Sequence, residues 1–129
     1  MLIGKSISAS YENPTEVWTP WVPRQGDAMT STAELIAFSG EDANLTFDVY
    51  HKNSEDTGNG AAATTTGANA FGTPIGSIPA TTNFRTTGLK EIVRYRITLQ
   101  YTGETSGAVV YAHFRLLNPS WEFTGAQSI

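Results

Sequence analysis

The stretch VRYRITLQY (93–101) alternates apolar and polar side chains at every step. A period of two belongs to a strand with one face buried and one face wet, because successive side chains leave a pleated backbone on opposite sides. Val93, Tyr95, Ile97, Leu99 and Tyr101 form the core-facing row, and Arg94, Arg96, Thr98 and Gln100 form the outer one. LTFDVYH (45–51) repeats the pattern, with Leu45, Phe47 and Val49 inward, and VVYAHFRLL (109–117) follows the polar turn segment TGETSG. STAELIAF (31–38) sets Ser31 and Glu34 as a helix capping box, yet Gly40 cuts it short, and Leu35, Ile36 and Phe38 suit a strand. LIGKSISASY, VWTPWV, TPIGSI and TNFRTTGL supply further strands. The sum is about eight strands, which predicts an all-β, single-domain antiparallel β-sandwich or jelly roll over residues 1–129.

A hairpin joining 93–101 to 109–117 sets Leu99 against Val110, Ile97 against Ala112, Tyr95 against Phe114 and Val93 against Leu116. A slip of one residue would turn Arg115 into the core, so the parity is fixed. The same register places Arg94 opposite Arg115 and Arg96 opposite His113, and like charges across a strand pair destabilise it. Either a neighbouring strand supplies acids, with Asp48 and Glu91 as candidates, or Arg94, Arg96 and Arg115 form a cationic patch that awaits an acidic partner.

No membrane helix fits the chain, since no run approaches the ~18 apolar residues needed. The N-terminus lacks a secretory signal pattern, so the protein is expected to be made in the cytoplasm without secretion, staying soluble there or leaving by lysis or assembly into a virion. There is no cysteine, which excludes disulfides and thiol chemistry. The net charge is −4, from 12 acids and 8 bases, and argues against nucleic-acid binding. Residues 1–56 hold nine acids and three bases, whereas 57–129 hold three acids and five bases.

The chain offers little material for catalysis. Its two histidines, His51 and His113, sit in no local nucleophile signature. Glu41-Asp42 and Glu55-Asp56 fall in turn-like, solvated places where carboxyl pKa values are not tuned for acid–base work. Asn53, Glu55, Thr57 and Gly58 imitate the start of a calcium loop, but the required acid falls on Thr64 and the match fails. No enzyme activity, cofactor or metal is therefore expected. Residues 52–73 read as a long polar loop, and segments of that kind are commonly contact elements. Asn53 and Asp56 within it, and Leu2, Ile3 and Lys5 within an extended N-terminal arm over 1–11, join the three arginines as partner-contact candidates. Trp18 and Trp21, close together between prolines, have two readings: a platform for stacking sugar rings, or caps on one end of the core. Trp121 is expected to anchor the C-terminal segment to the sheet.

This small, cysteine-free, Thr/Gly-rich β chain, with GLKEIVRYRITLQYTG and VVYAHFRLLNPSWEF, resembles small virion proteins of tailed bacteriophages, notably the head decoration (cement) proteins. The resemblance implies a non-enzymatic subunit, homo-oligomeric and commonly trimeric, that binds the major capsid protein on the virion exterior. A carbohydrate-binding module of a tail fibre or baseplate, or a tail or connector subunit, is the alternative.

Overall fold

The structure, a computed structural model, describes residues 3–124. It is all-β. The strands are β1 (Ile3–Ser10), β2 (Thr15–Trp18), β3 (Val22–Pro23), β4 (Ala28–Ser39), β5 (Ala43–Lys52), β6 (Ala61–Ala62), β7 (Thr64–Gly67), β8 (Ala70–Gly72), β9 (Ala80–Thr87), β10 (Ile92–Tyr101), β11 (Val109–Leu116) and β12 (Ser120–Glu122). Among the described residues these twelve exceed the eight expected, because the edge segments break into short pieces. Two antiparallel sheets pack together. Sheet I runs β1-β11-β4-β9-β7, with β12 also on β4; sheet II runs β2-β10-β5-β6, with β3 on β10 and β8 on β5.

The alternation assigns faces correctly. Val93, Tyr95, Ile97 and Leu99 are buried, as are Val110, Ala112, Phe114 and Leu116. The pairing is different from the expected hairpin. β10 lies between β5 and β2/β3 in sheet II, while β11 lies between β1 and β4 in sheet I. TGETSG therefore crosses from one sheet to the other, and the two apolar rows meet across the interior. Phe47 of β5 sits at the centre, edge-on to Phe71 and Phe114 at 6.0 and 5.6 Å and stacked on Phe84 at 6.4 Å. Tyr95 links the two sheets through the interior: its hydroxyl on sheet II lies 2.6 Å from Ser31 Oγ and donates to Met29 Sδ at 3.8 Å, both on sheet I. Burial pushes the Tyr95 phenol up to about 12, against which the Ser31 hydrogen bond acts only in part.

Segment 31–38 is the middle of β4, as its apolar residues require. Its pairing with β11 shifts register, so Leu35 faces Phe114 and Ala37 faces His113. The bulge restores Phe38 to the inner side, where it packs on the core. Trp121 pairs with Met29 and packs on the core, anchoring β12 as expected.

Two expectations about loose segments need correction. Residues 3–10 of the supposed arm are a paired edge strand with Ile7 and Ala9 buried, because alternate residues of ISASY meet the interior. Leu2 lies outside the described residues. The supposed loop over 52–73 is unbroken loop only from 53 to 60. Beyond it, β6 pairs with β5, β7 with β9, and β8 again with β5. Ala63 N–H donates to Val49 O and Phe47 N–H to Asn69 O, so this one segment stitches the edges of both sheets together.

Candidate contact surfaces

Outward residues of β2, β5 and β10 build the outer face of sheet II. Trp18 leaves β2 opposite to inward Val17, and Pro20 breaks the edge before Trp21. The Arg94 guanidinium, projecting from β10, lies between these rings, with Cζ 4.1 Å from the Trp18 centroid and 4.3 Å from that of Trp21. Its Nη2 donates to Asn59 Oδ1 at 2.9 Å. Lys52 Nζ sits 5.0 Å over Trp21, and Arg96 packs 5.0 Å over Tyr50. Tyr50 meets Trp18 edge-on at 4.9 Å. The result is a continuous ladder of cations and aromatic rings, in which each cation meets a π face.

Arg96 also has acids. Its Nη2 lies 2.9 Å from Asp48 Oδ2 and its Nη1 lies 3.9 Å from Glu16 Oε1. The Asp48 hydrogen bond holds the guanidinium above its ordinary value. Asp48 is thus the neighbouring acid that sequence reading named. Glu91 is not: its carboxylate accepts from the Ser54 N–H. Arg115 belongs to the other sheet and pairs with Glu34 across β4 at 3.0 Å. The three arginines therefore do not form one patch. The Arg94–Arg115 and Arg96–His113 oppositions do not exist, because those residues stand in different sheets.

Trp18 and Trp21 cap no core. They clamp Arg94, and Trp21 is further wedged by Gly60, whose φ of +75° brings the backbone so close that a Cβ would lie 3.1 Å from the indole. The ring faces that a sugar would need are thereby partly taken by the chain itself.

Asn53 and Asp56 stabilise their own turn. Asn53 N–H donates to Asp56 Oδ2 at 3.1 Å, and Asp56 N–H donates to Asn53 O at 3.0 Å. Lys5 shares the inward side of β1 with Ile7 and Ala9 yet is exposed, and Ile3 is half-buried. A charge on that side of an edge strand opposes edge-to-edge pairing. His51 accepts the Lys90 N–H at Nδ1, and burial, with Lys90 nearby, lowers its pKa. His113 Nδ1 lies 2.7 Å from Ser6 Oγ on sheet I. Among the described residues, no three His, Cys, Asp or Glu gather as a metal site, and no helix is long and apolar enough to cross a membrane.

The surface that sequence reading missed lies at one end of the molecule. Strand directions bring the β1–β2, β4–β5, β8–β9 and β10–β11 connections together there. They are bound to one another: Tyr11 N–H donates to Ala108 O, Thr102 N–H to Asp42 O and Thr73 N–H to Ala43 O. The connections carry Glu12, Glu41, Asp42 and Glu104, all exposed, and no Lys or Arg. Ile78 and Val109 are exposed beside them, and Tyr111 follows on the outer face of β11.

No family model matches the chain, and no curated protein or solved structure matches it at a significant level.

Proposed function

We propose that this chain is a non-enzymatic virion structural protein, a capsid decoration subunit that works through the protein surfaces it displays. The observation that carries the reading is the exposure of large apolar side chains on a firmly knitted scaffold. Val109, Tyr111, Ile78 and Phe123 keep 42, 54, 40 and 56 % of their surface accessible, in a domain whose interior holds ample apolar residues already. Val109, Tyr111 and Ile78 gather toward the β4–β5 end, whereas Phe123 follows β12 at the other end, and clustered apolar exposure such as that of the first three marks contact with another macromolecule.

The strand order supports a jelly-roll reading of the two packed sheets. With β2/β3 counted as one broken strand, β6/β8 as another, and β7 and β12 as edge additions to sheet I, each strand lies in the opposite sheet from the one before it except β6/β8, which stays beside β5, giving β1-β11-β4-β9 against β2-β10-β5-β8. That architecture is used by viral shell domains and also by lectins, and fold alone assigns no function. The clamping of Arg94 between Trp18 and Trp21 favours the shell reading over the glycan one, since a stacking platform needs open rings.

A decoration subunit gains from oligomerisation, because each added contact on a repeating shell acts at high effective concentration. A homo-trimer bound to the major capsid protein is the expected state. Sedimentation of the purified chain, alone and with assembled shells, tests this. A trimer that co-sediments with shells supports the reading. A monomer that ignores shells, and whose tryptophan fluorescence responds to a glycan titration, would overturn it.

A further inference from the structure

The end of the molecule built by the β1–β2, β4–β5, β8–β9 and β10–β11 connections gathers acids without a lysine or arginine among them. The whole chain has 12 acids and 8 bases. Removing the four acids Glu12, Glu41, Asp42 and Glu104 leaves eight acids against eight bases, so the entire net charge of −4 resides at this end. None of the four makes a salt bridge among the described residues, whereas Glu16, Glu34, Asp48 and Glu122 all do.

The same end is also apolar. Two clefts flank the Glu41–Asp42 turn. One, of about 480 Å3, is walled by Phe38, Pro74, Ile75 and Ile78; the other, of about 270 Å3, is walled by Tyr101, Ala108 and Val109. Glu41 and Asp42 line both clefts. The turn between them is fixed in place. Gly40 adopts φ +119°, where an added Cβ would strike Val110 Cγ1 at 2.7 Å, and Asp42 takes a left-handed φ of 56°. Thr102 N–H holds the Asp42 carbonyl at 2.6 Å.

Apolar walls with a carboxylate rim select one kind of occupant. A lysine or arginine lays its aliphatic stem along an apolar wall and brings its charge to an acid at the rim, while a bulky apolar side chain fills the cleft floor. A second copy of this chain is a poorer occupant, since its sheet II cations already pack on aromatic rings, carbonyls and Asp48, and its Arg85 and Arg115 are salt-bridged. We propose that this end is the docking surface for a basic partner protein, which it grips through cationic side chains set beside an apolar anchor. The inference rests on the protein-contact reading and adds the place and the chemistry of the contact. Electrostatic attraction would steer the encounter, and the clefts would hold it.

The test is to pan a random-peptide library on the immobilised full chain and measure the recovered peptides against variants. The expected result is enrichment of Lys or Arg next to a large apolar residue. Binding should weaken about tenfold or more in Glu41→Gln with Asp42→Asn, and in Ile78→Ser. It should also weaken as salt rises from ~0.15 M to about 1 M, as the Debye length falls from ~8 to ~3 Å. Asn suits the left-handed turn, so the double variant retains its fold. Recovered peptides without basic residues, or basic peptides indifferent to these variants, would overturn the assignment of this end. Basic peptides displaced instead by Arg94→Ala would do so too, while leaving the protein-contact reading standing. A chain that recovers no peptide and takes up glycans would remove both.

Discussion

The outer face of sheet II and the β4–β5 end of the molecule are both rich in charge, yet they treat it in opposite ways. On sheet II each cation already has a partner: Arg96 has Asp48 and Tyr50, Arg94 has two indoles and Asn59, and Lys52 has Trp21 and two carbonyls. At the β4–β5 end the acids have none among the described residues, and Ile78 and Val109 remain in water. A side chain with its partner inside the molecule serves the fold. One whose partner is missing points outward, to whatever the molecule meets. Spectacular-looking clusters, such as two tryptophans beside two arginines, are thus weaker functional clues than unanswered ones.

That contrast presumes a rigid interior carrying both regions, and the interior is where substitution should act most strongly. Phe47 is fully buried and touches aromatic rings from both sheets. Phe47→Ala should cost about 3–5 kcal/mol in a denaturant titration; a loss below about 1 kcal/mol would mean the sheets do not pack as described. Next comes alkaline pH. The Tyr95 phenol is raised from 10.0 to about 12 in the folded chain. Its contribution is therefore complete below pH ~10 and drains away as pH climbs toward ~12, by about 2–3 kcal/mol. Ultraviolet titration should show one tyrosine ionising late, and Tyr95→Phe should abolish that step.

The sheet II face should respond more mildly. Arg94→Ala removes the cation between two rings and is expected to cost about 1–2 kcal/mol, with a change in tryptophan fluorescence. If that variant were neutral in stability and instead abolished binding to a partner, the two regions would have exchanged roles. Smallest of all is the effect of Glu41→Gln with Asp42→Asn. Mutual repulsion among four unpaired acids predicts a stability change within about 0.5 kcal/mol, in the stabilising direction. A clear loss would mean that the turn acids serve the fold after all.

The faces of the strands were legible in the sequence, and their neighbours were not. Alternation in 93–101 and 109–117 specifies which residues point inward, but it is identical whether two strands lie side by side or face each other across the core. The seven-residue connection TGETSGA spans either arrangement. From that one ambiguity came the false opposition of Arg94 with Arg115. Asp48 was legible as a partner for Arg96 because both fall on outward positions of strong strands, which proved to be adjacent. The tryptophan clamp was not, since it depends on Pro20 interrupting an edge and on Asn59 and Gly60 arriving from a distant loop. The acidic end was hidden for a related reason. Charge counted along the chain divides into an acidic and a basic half, whereas the fold gathers Glu12, Glu41, Asp42 and Glu104 from three separate connections.

The most direct measurement is a residue-resolved chemical-shift titration of the isotope-labelled chain with an arginine–leucine peptide and, separately, with a chitin oligosaccharide. Shifts confined to residues 40–42, 74–78 and 101–109 on adding the peptide, with the sugar inert, are what unanswered charge beside exposed apolar side chains requires. Movement of the Trp18 and Trp21 indole signals by the sugar, with the acidic end unchanged by the peptide, would contradict it.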